Sequence, residues 1–152
     1  MRIVKKEEIQ DLIGTDCEPS SWLNISQERI NEFADTTEDH QFIHVDPEAA
    51  KNTPFGGPIA HGFLTLSMLS RMAEEFGIFV EGAVMGINYG FQKIRFLSPV
   101  PAGSDIRGNA KILNIIEKPN KQMVITYEVT VEIKGHDKPA LVAEWISMLP
   151  MA

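Results

Sequence analysis

Met123-Val124-Ile125-Thr126-Tyr127-Glu128-Val129-Thr130-Val131-Glu132-Ile133 sets Met123, Ile125, Tyr127, Val129 and Val131 against Val124, Thr126, Glu128, Thr130 and Glu132. That alternation is the pattern of a strand with one buried face, because successive side chains leave opposite sides of a sheet. Three further stretches, Val84 to Phe96, Asp105 to Ile116 and Leu141 to Leu149, are strand-length or longer and rich in β-branched and aromatic residues. The connectors Glu117-Lys118-Pro119-Asn120-Lys121 and Gly135-His136-Asp137-Lys138-Pro139 are too short for a parallel crossover, which needs about a dozen residues or more. With an early short strand over Ser21 to Ile25, the chain predicts five antiparallel strands.

Upstream of the strands the period changes. Along Ile59 to Phe76, Phe63, Leu66, Leu69 or Ser70, Ala73 and Phe76 recur at three- and four-residue steps, so one helix face turns to a core. Lys5 to Ile13 has helical composition and stops at Gly14; Ser26 caps a second helix that fades near Thr36 and Thr37. Asp46-Pro47 opens a short third one, with Asp46 as cap and Pro47 at the first helical position. Lys51 to Pro58 reads as loop. One long helix and an antiparallel sheet make an α+β layer fold.

With 152 residues, 43% of them hydrophobic, the chain is sized for a single domain over 1–152. Its net charge of −7, with 14 basic residues scattered among 21 acidic ones, argues against a nucleic-acid surface. Cys17 stands alone and can form no internal disulfide, which suits a reducing compartment. Met1-Arg2-Ile3-Val4-Lys5-Lys6-Glu7-Glu8 lacks the apolar run of a signal peptide, and the Ile59 to Phe76 stretch is broken by charged and polar residues. A soluble cytoplasmic protein without membrane partners is the expectation.

Chemistry concentrates between residues 37 and 62. Asp39 and His44 are five apart, so neither helix nor strand spacing aligns them and a turn must bring them together. If it does, His44 can activate a water while Asp39 handles a second proton. The same residues also suit a solvated loop carboxylate and a structural histidine, and spacing does not separate the two readings. Gly62 falls at a helix start, where free backbone N–H groups stabilise a developing oxyanion; a glycine relieving helix-on-sheet crowding reads equally well. His40 and His44 have the spacing of a helical zinc pair, but no third ligand is evident and no metalloprotease-type Glu follows. Ser67 and Ser70 lie outside any nucleophile elbow, and Gly56-Gly57 belongs to no dinucleotide fingerprint. Lys93 and Arg95, two apart on one strand face, with Arg107 on the following strand able to join them, read as a solvated charged face or as a cationic cluster that could hold phosphates.

Thr37-Glu38-Asp39-His40-Gln41-Phe42-Ile43-His44-Val45-Asp46-Pro47 and Gly57-Pro58-Ile59-Ala60-His61-Gly62-Phe63-Leu64 resemble the MaoC-like dehydratase and (R)-specific enoyl-CoA hydratase family. The form Asp39-His40-Gln41-Phe42-Ile43-His44-Val45-Asp46-Pro47, with the downstream Ile87-Asn88-Tyr89-Gly90-Phe91-Gln92-Lys93-Ile94-Arg95-Phe96, is closer to the nodulation protein N-like branch. The resemblance implies a hotdog fold, with the sheet wrapped around the long helix, and a homodimer with sites near the interface. It assigns Asp39 and His44 to the catalytic pair, the Gly62 N–H to the thioester oxygen and Ser70 to the surroundings of the site. It implies hydration of trans-2-enoyl-CoA to (R)-3-hydroxyacyl-CoA, or the reverse, on a CoA or acyl-carrier thioester without metal or other cofactor. A thioesterase on the same fold and a non-catalytic acyl-thioester-binding module are the alternatives. Where many hydratases carry Asn-Pro, this chain has Gln41-Phe42, a change at a position where proline would restrict the backbone.

Overall fold

The computed structural model describes residues 1–152. In chain order the elements are β1 (Arg2–Val4), a 3-10 turn (Lys6–Leu12), β2 (Leu23–Ile25), α1 (Gln27–Thr37), α2 (Phe42–Val45), α3 (Pro47–Ala50), α4 (Gly62–Phe76), β3 (Ile78–Val80), β4 (Ile87–Phe96), β5 (Ser104–Lys118), β6 (Gln122–Ile133) and β7 (Leu141–Pro150). Five strands form one antiparallel sheet in the order β2-β5-β6-β7-β4, and β1 pairs with β3 in a separate parallel ribbon. The early segment does more than supply β2. Gly14 and Cys17 donate backbone bonds to Ile112 and Ala110, and Ser20 to Gly108, so this strap covers part of the β5 edge.

The alternation of β6 holds from Ile125 onward: Met123, Ile125, Tyr127, Val129, Val131 and Ile133 are all buried, but Val124, on the other face, is buried as well. On the opposite face, Lys111 opposes Glu128, Glu128 opposes Glu144, and Glu144 opposes Lys93, a row of alternating strands with two cations outside two carboxylates. The core face is covered by α4, whose Phe76 packs edge-on against Tyr127 and Trp145. Burial raises the Tyr127 phenol above its ordinary pKa, and its oxygen accepts a bond from the Ile78 N–H, so the buried hydroxyl is not orphaned.

The structure corrects the helix in two respects. Its first residue is Gly62, not Ile59, because Ile59 and Ala60 are held extended by a bridge to Pro101 and a bond from Ala60 N–H to the Val100 carbonyl. The buried stripe is Leu64, Thr65, Leu69, Met72 and Phe76, whereas Phe63 is 69% exposed and Ala73 only half-buried. A threonine at the centre of the stripe hides it from a reading by hydrophobicity. Within the stretch of helical composition from Lys5 to Ile13, Lys6–Leu12 forms a 3-10 turn and not an α-helix, and Lys5 and Ile13 are extended.

The rotation of α4 is set by Gly108 on β5. A Cβ there would lie 2.9 Å from Met72 Sδ, 3.1 Å from Phe76 Cε1 and 3.3 Å from Met72 Cβ, so helix and sheet meet through the missing side chain. Overpacking of this kind costs about 1–3 kcal/mol. Gly108→Ala is expected to lower the urea midpoint at unchanged slope, whereas Gly90→Ala, where a Cβ meets nothing within 4 Å, shifts it little. Equal midpoints for both variants would show that α4 is not seated through Gly108.

Candidate active site

Two caps shape the segment that carries the chemistry. Ser26 Oγ accepts from Arg29 N–H at the start of α1, and Asp46 accepts from the N–H groups of Glu48 and Ala49 at the start of α3. Between them α1 ends on Glu38 in the left-handed conformation at φ 61°, Asp39 Oδ1 accepts a 3.3 Å bond from Gln41 N–H, and the four residues of α2 follow. His40 and His44 are therefore not on one helix, and His40 turns out to Asp35 at 2.7 Å. Gln41, at φ −57° and ψ 134°, is extended, and Phe42 is the first helical residue. An extended residue followed by a first helical position is a backbone that an Asn-Pro pair can also adopt.

The returning chain fixes α2. Ile59 N–H donates to the Ile43 carbonyl, and the Ile59 carbonyl accepts from His44 Nδ1 at 2.7 Å. With Nδ1–H committed, the neutral ring leaves Nε2 as its acceptor. Gln27 Nε2 holds the His44 carbonyl from α1. Only 7% of His44 is exposed, and this burial holds its imidazole below the usual pKa; His61 acts in the same direction, while the bond to Ile59 and the Asp39 charge oppose it.

Asp39, His44 and His61 each place one polar side-chain atom within 4.8 Å of the others. The turn that spacing required is thus present. His61 was given no chemical role by the sequence reading, and it is the residue that reading missed. Its ring lies against His44 with centroids 3.8 Å apart and planes inclined by 25°. Imidazoles that share one ion aim their lone pairs at it along their ring planes; rings this nearly parallel would need one to rotate before both could bind.

A cleft of about 290 Å³ opens beside His44, lined by Ile59, Gly62, Thr65, Phe96 and Ser98 among others. The N–H groups of Gly62 and Phe63, at the start of the 15-residue α4, have no acceptor in the protein. Gly62 is also a point of close approach, since a Cβ would stand 3.1 Å from the Phe96 ring. His44, with a free ring nitrogen, and the unpaired N–H of Gly62 share this cleft, and the exposed Asp39 carboxylate lies within 4.8 Å of the His44 ring; such a set suits proton transfer beside a carbonyl that gathers charge.

The other candidates lie elsewhere in the chain. Ser70, two turns along α4, lines a second cavity of about 180 Å³ with Tyr127, Trp145 and Asn88. Lys93 and Arg95 share one sheet face as the spacing predicts, but Lys93 is paired with Glu144 at 3.1 Å. Arg107 does not join them. It sits on β5, separated from β4 by β6 and β7, where it pairs with Glu132 and lies over the Trp22 ring. Succession in sequence is not adjacency in this sheet. No helix is long and apolar enough to cross a membrane.

Comparison with known proteins matches this geometry to a family. Residues 8–133 match the family described as MaoC like domain. The chain is 46% identical over 143 residues to nodulation protein N of Rhizobium leguminosarum bv. viciae, covering 93% of this chain and 89% of that one. It is 47% identical over 127 residues to 3-hydroxyacyl-thioester dehydratase Z of Mycobacterium tuberculosis, covering 84% and 83%. Its fold superposes on the monoamine oxidase regulatory protein from Archaeoglobus fulgius with a TM-score of 0.81 at 28% identity, over 100% and 97% of the two chains. The expected hotdog arrangement of one long helix on an antiparallel sheet is therefore confirmed, and the chain belongs to the MaoC-like dehydratase family.

Proposed function

We propose that the protein hydrates trans-2-enoyl thioesters to (R)-3-hydroxyacyl thioesters, or catalyses the reverse, with CoA or an acyl carrier as the thiol. One observation carries the reading: His44, locked by Ile59 into the tautomer with a free Nε2, shares a cleft with the unpaired Gly62 N–H. In the hydration direction a water gives a proton to the Asp39–His44 pair as its oxygen bonds to the β-carbon. The double-bond electrons move onto the carbonyl oxygen, where the Gly62 N–H meets the charge. The enolate then takes a proton from the pair at the α-carbon. Hydroxyl and hydrogen have been added, and the pair ends with the protons it began with.

Asp39→Asn and His44→Asn are each expected to lower turnover at least about a hundredfold with the fold retained, since positioned acid–base groups contribute about 10²–10⁴-fold. His40→Asn, which alters only the exposed pair with Asp35, should change it little. A screen of enoyl thioesters of several chain lengths is the direct assay. Loss of enoyl absorbance with the thioester intact supports hydration; release of free thiol would make the protein a thioesterase, and tight binding without turnover a binding module.

The pH dependence follows from the burial of His44. Its base form persists below the ordinary imidazole value of about 6.5, because the folded pKa is depressed. The rate constant kcat/KM should therefore hold level as pH falls through that value and decline only below it. A decline centred at or above it would remove His44 as the base.

We further propose a homodimer. The β4 strand pairs only with β7 and leaves its other edge open; beside it Phe63, Phe96 and Tyr89 are 69%, 50% and 54% exposed, and the first two meet edge to face. An open edge flanked by aromatic side chains suits coverage by a second copy. Sedimentation equilibrium should give twice the chain mass, and Phe63→Asp should shift it towards one. A wild-type monomer at micromolar concentration with full turnover would overturn this.

A further inference from the structure

The one buried side-chain nitrogen or oxygen without a hydrogen-bond partner is Nδ1 of His61. The residue is only 3% exposed. Leaving a polar atom unpaired in such a place is unfavourable, and a phenyl ring would fill the same space without one. What an imidazole has and a phenyl ring lacks here is the second nitrogen: Nε2 lies 2.9 Å from the Asp39 carbonyl and donates its proton to it.

The surroundings show what that bond holds. Asp39 follows the left-handed Glu38, and its side chain makes only the 3.3 Å bond to Gln41. Little else ties the carboxylate's backbone to the site. On its face the His61 ring stacks on His44, on its other flank Phe33 lies tilted at 5.0 Å, and through its carbonyl His61 accepts from Leu64 and Thr65 N–H at the start of α4. One residue therefore contacts the carboxylate's backbone by a hydrogen bond, the base by its ring face and the oxyanion donor by its own peptide bond to Gly62.

We propose that His61 is a positioning residue, whose Nε2–H keeps the Asp39 backbone in register with His44 while its ring fixes the plane of the His44 imidazole. The inference rests on the hydratase reading for its effect on rate, but not for its effect on structure. It needs no contact between His61 and substrate.

Two variants separate its parts. His61→Phe keeps a ring against His44 and removes the donor; His61→Gln places an amide N–H near the position of Nε2 and removes the ring. Small misplacements of reacting groups cost up to about 10²-fold. His61→Phe should lower kcat about 10- to 100-fold with KM within about twofold, and His61→Gln should recover at least about tenfold of that loss. The reverse order, with Phe near wild type and Gln impaired, would show that the ring only fills space and would overturn the proposal.

Hydrogen exchange of the Gln41 amide, whose N–H is held by the Asp39 carboxylate, supplies a readout independent of turnover. It should quicken at least about tenfold in His61→Phe and return towards wild type in His61→Gln; unchanged exchange in the Phe variant would overturn the proposal. Should the wild-type protein turn over no enoyl or hydroxyacyl thioester, the hydratase reading fails while the exchange result still decides whether His61 holds Asp39.

Discussion

The peptide unit at Ile59 is the constraint on which the site depends. Its N–H ties to the Ile43 carbonyl and its carbonyl to His44 Nδ1, so one residue fixes both the turn that carries the imidazole and the tautomer of the ring. The next residue clamps to Val100 on the far side, and two residues further on α4 begins with the free N–H of Gly62. The orientation of the His44 ring and the position of the free Gly62 N–H are thus set by one short extended segment held from both sides. Two of these three bonds join backbone groups, so they do not depend on which side chains stand at positions 41 and 42.

Seating that segment correctly requires α4 to lie close on the sheet, and the sheet makes room at Gly108. A side chain there would push Met72 and Phe76 outward and carry the start of the helix with them. The far side of the sheet has no comparable demand. Its Lys111, Glu128, Glu144 and Lys93 row balances charge in solvent, where ion pairs contribute little to stability. The two faces of one sheet therefore serve different ends: one fixes a helix to within the width of a methyl group, while the other keeps the protein in water.

What was legible in the sequence was local. The alternation of β6, the caps Ser26 and Asp46 and the short connectors each depend on neighbours within a few residues, and each reads correctly. Long-range pairing was not legible. Nothing local in Arg2–Val4 or Ile78–Val80 shows that they pair with one another in parallel, or that the strand beside β4 is β7 and not β5. The misreading of Arg107 has this cause. The helix phase was missed because Thr65, a polar residue, occupies the buried stripe and Phe63, a large apolar one, does not. His61 stood in plain view beside Gly62, yet its partners are 22 and 17 residues upstream, and no periodicity joins them.

Under the hydratase reading, the environments of Asp39 and His44 differ in a way that divides the work. His44 is buried and its basicity is lowered, whereas Asp39 stays exposed to water. A weakened base is poorly matched to a proton α to a thioester carbonyl, so under the hydratase reading the enolate must be stabilised by something other than the base. The oxyanion donors at the start of α4 are placed for this: loss of one such donor costs about 2.7–4 kcal/mol in enzymes where it has been measured, comparable to the whole of a typical general-base contribution. His44 is buried but Gly62 is exposed, so the Gly62 N–H meets water until a bound acyl group displaces it, and the hydrogen bond strengthens only as that water leaves. Lowered basicity therefore comes from the burial of His44, and the compensating strength of the oxyanion site from substrate covering an exposed helix start; chemistry at this cleft depends on the second outweighing the first.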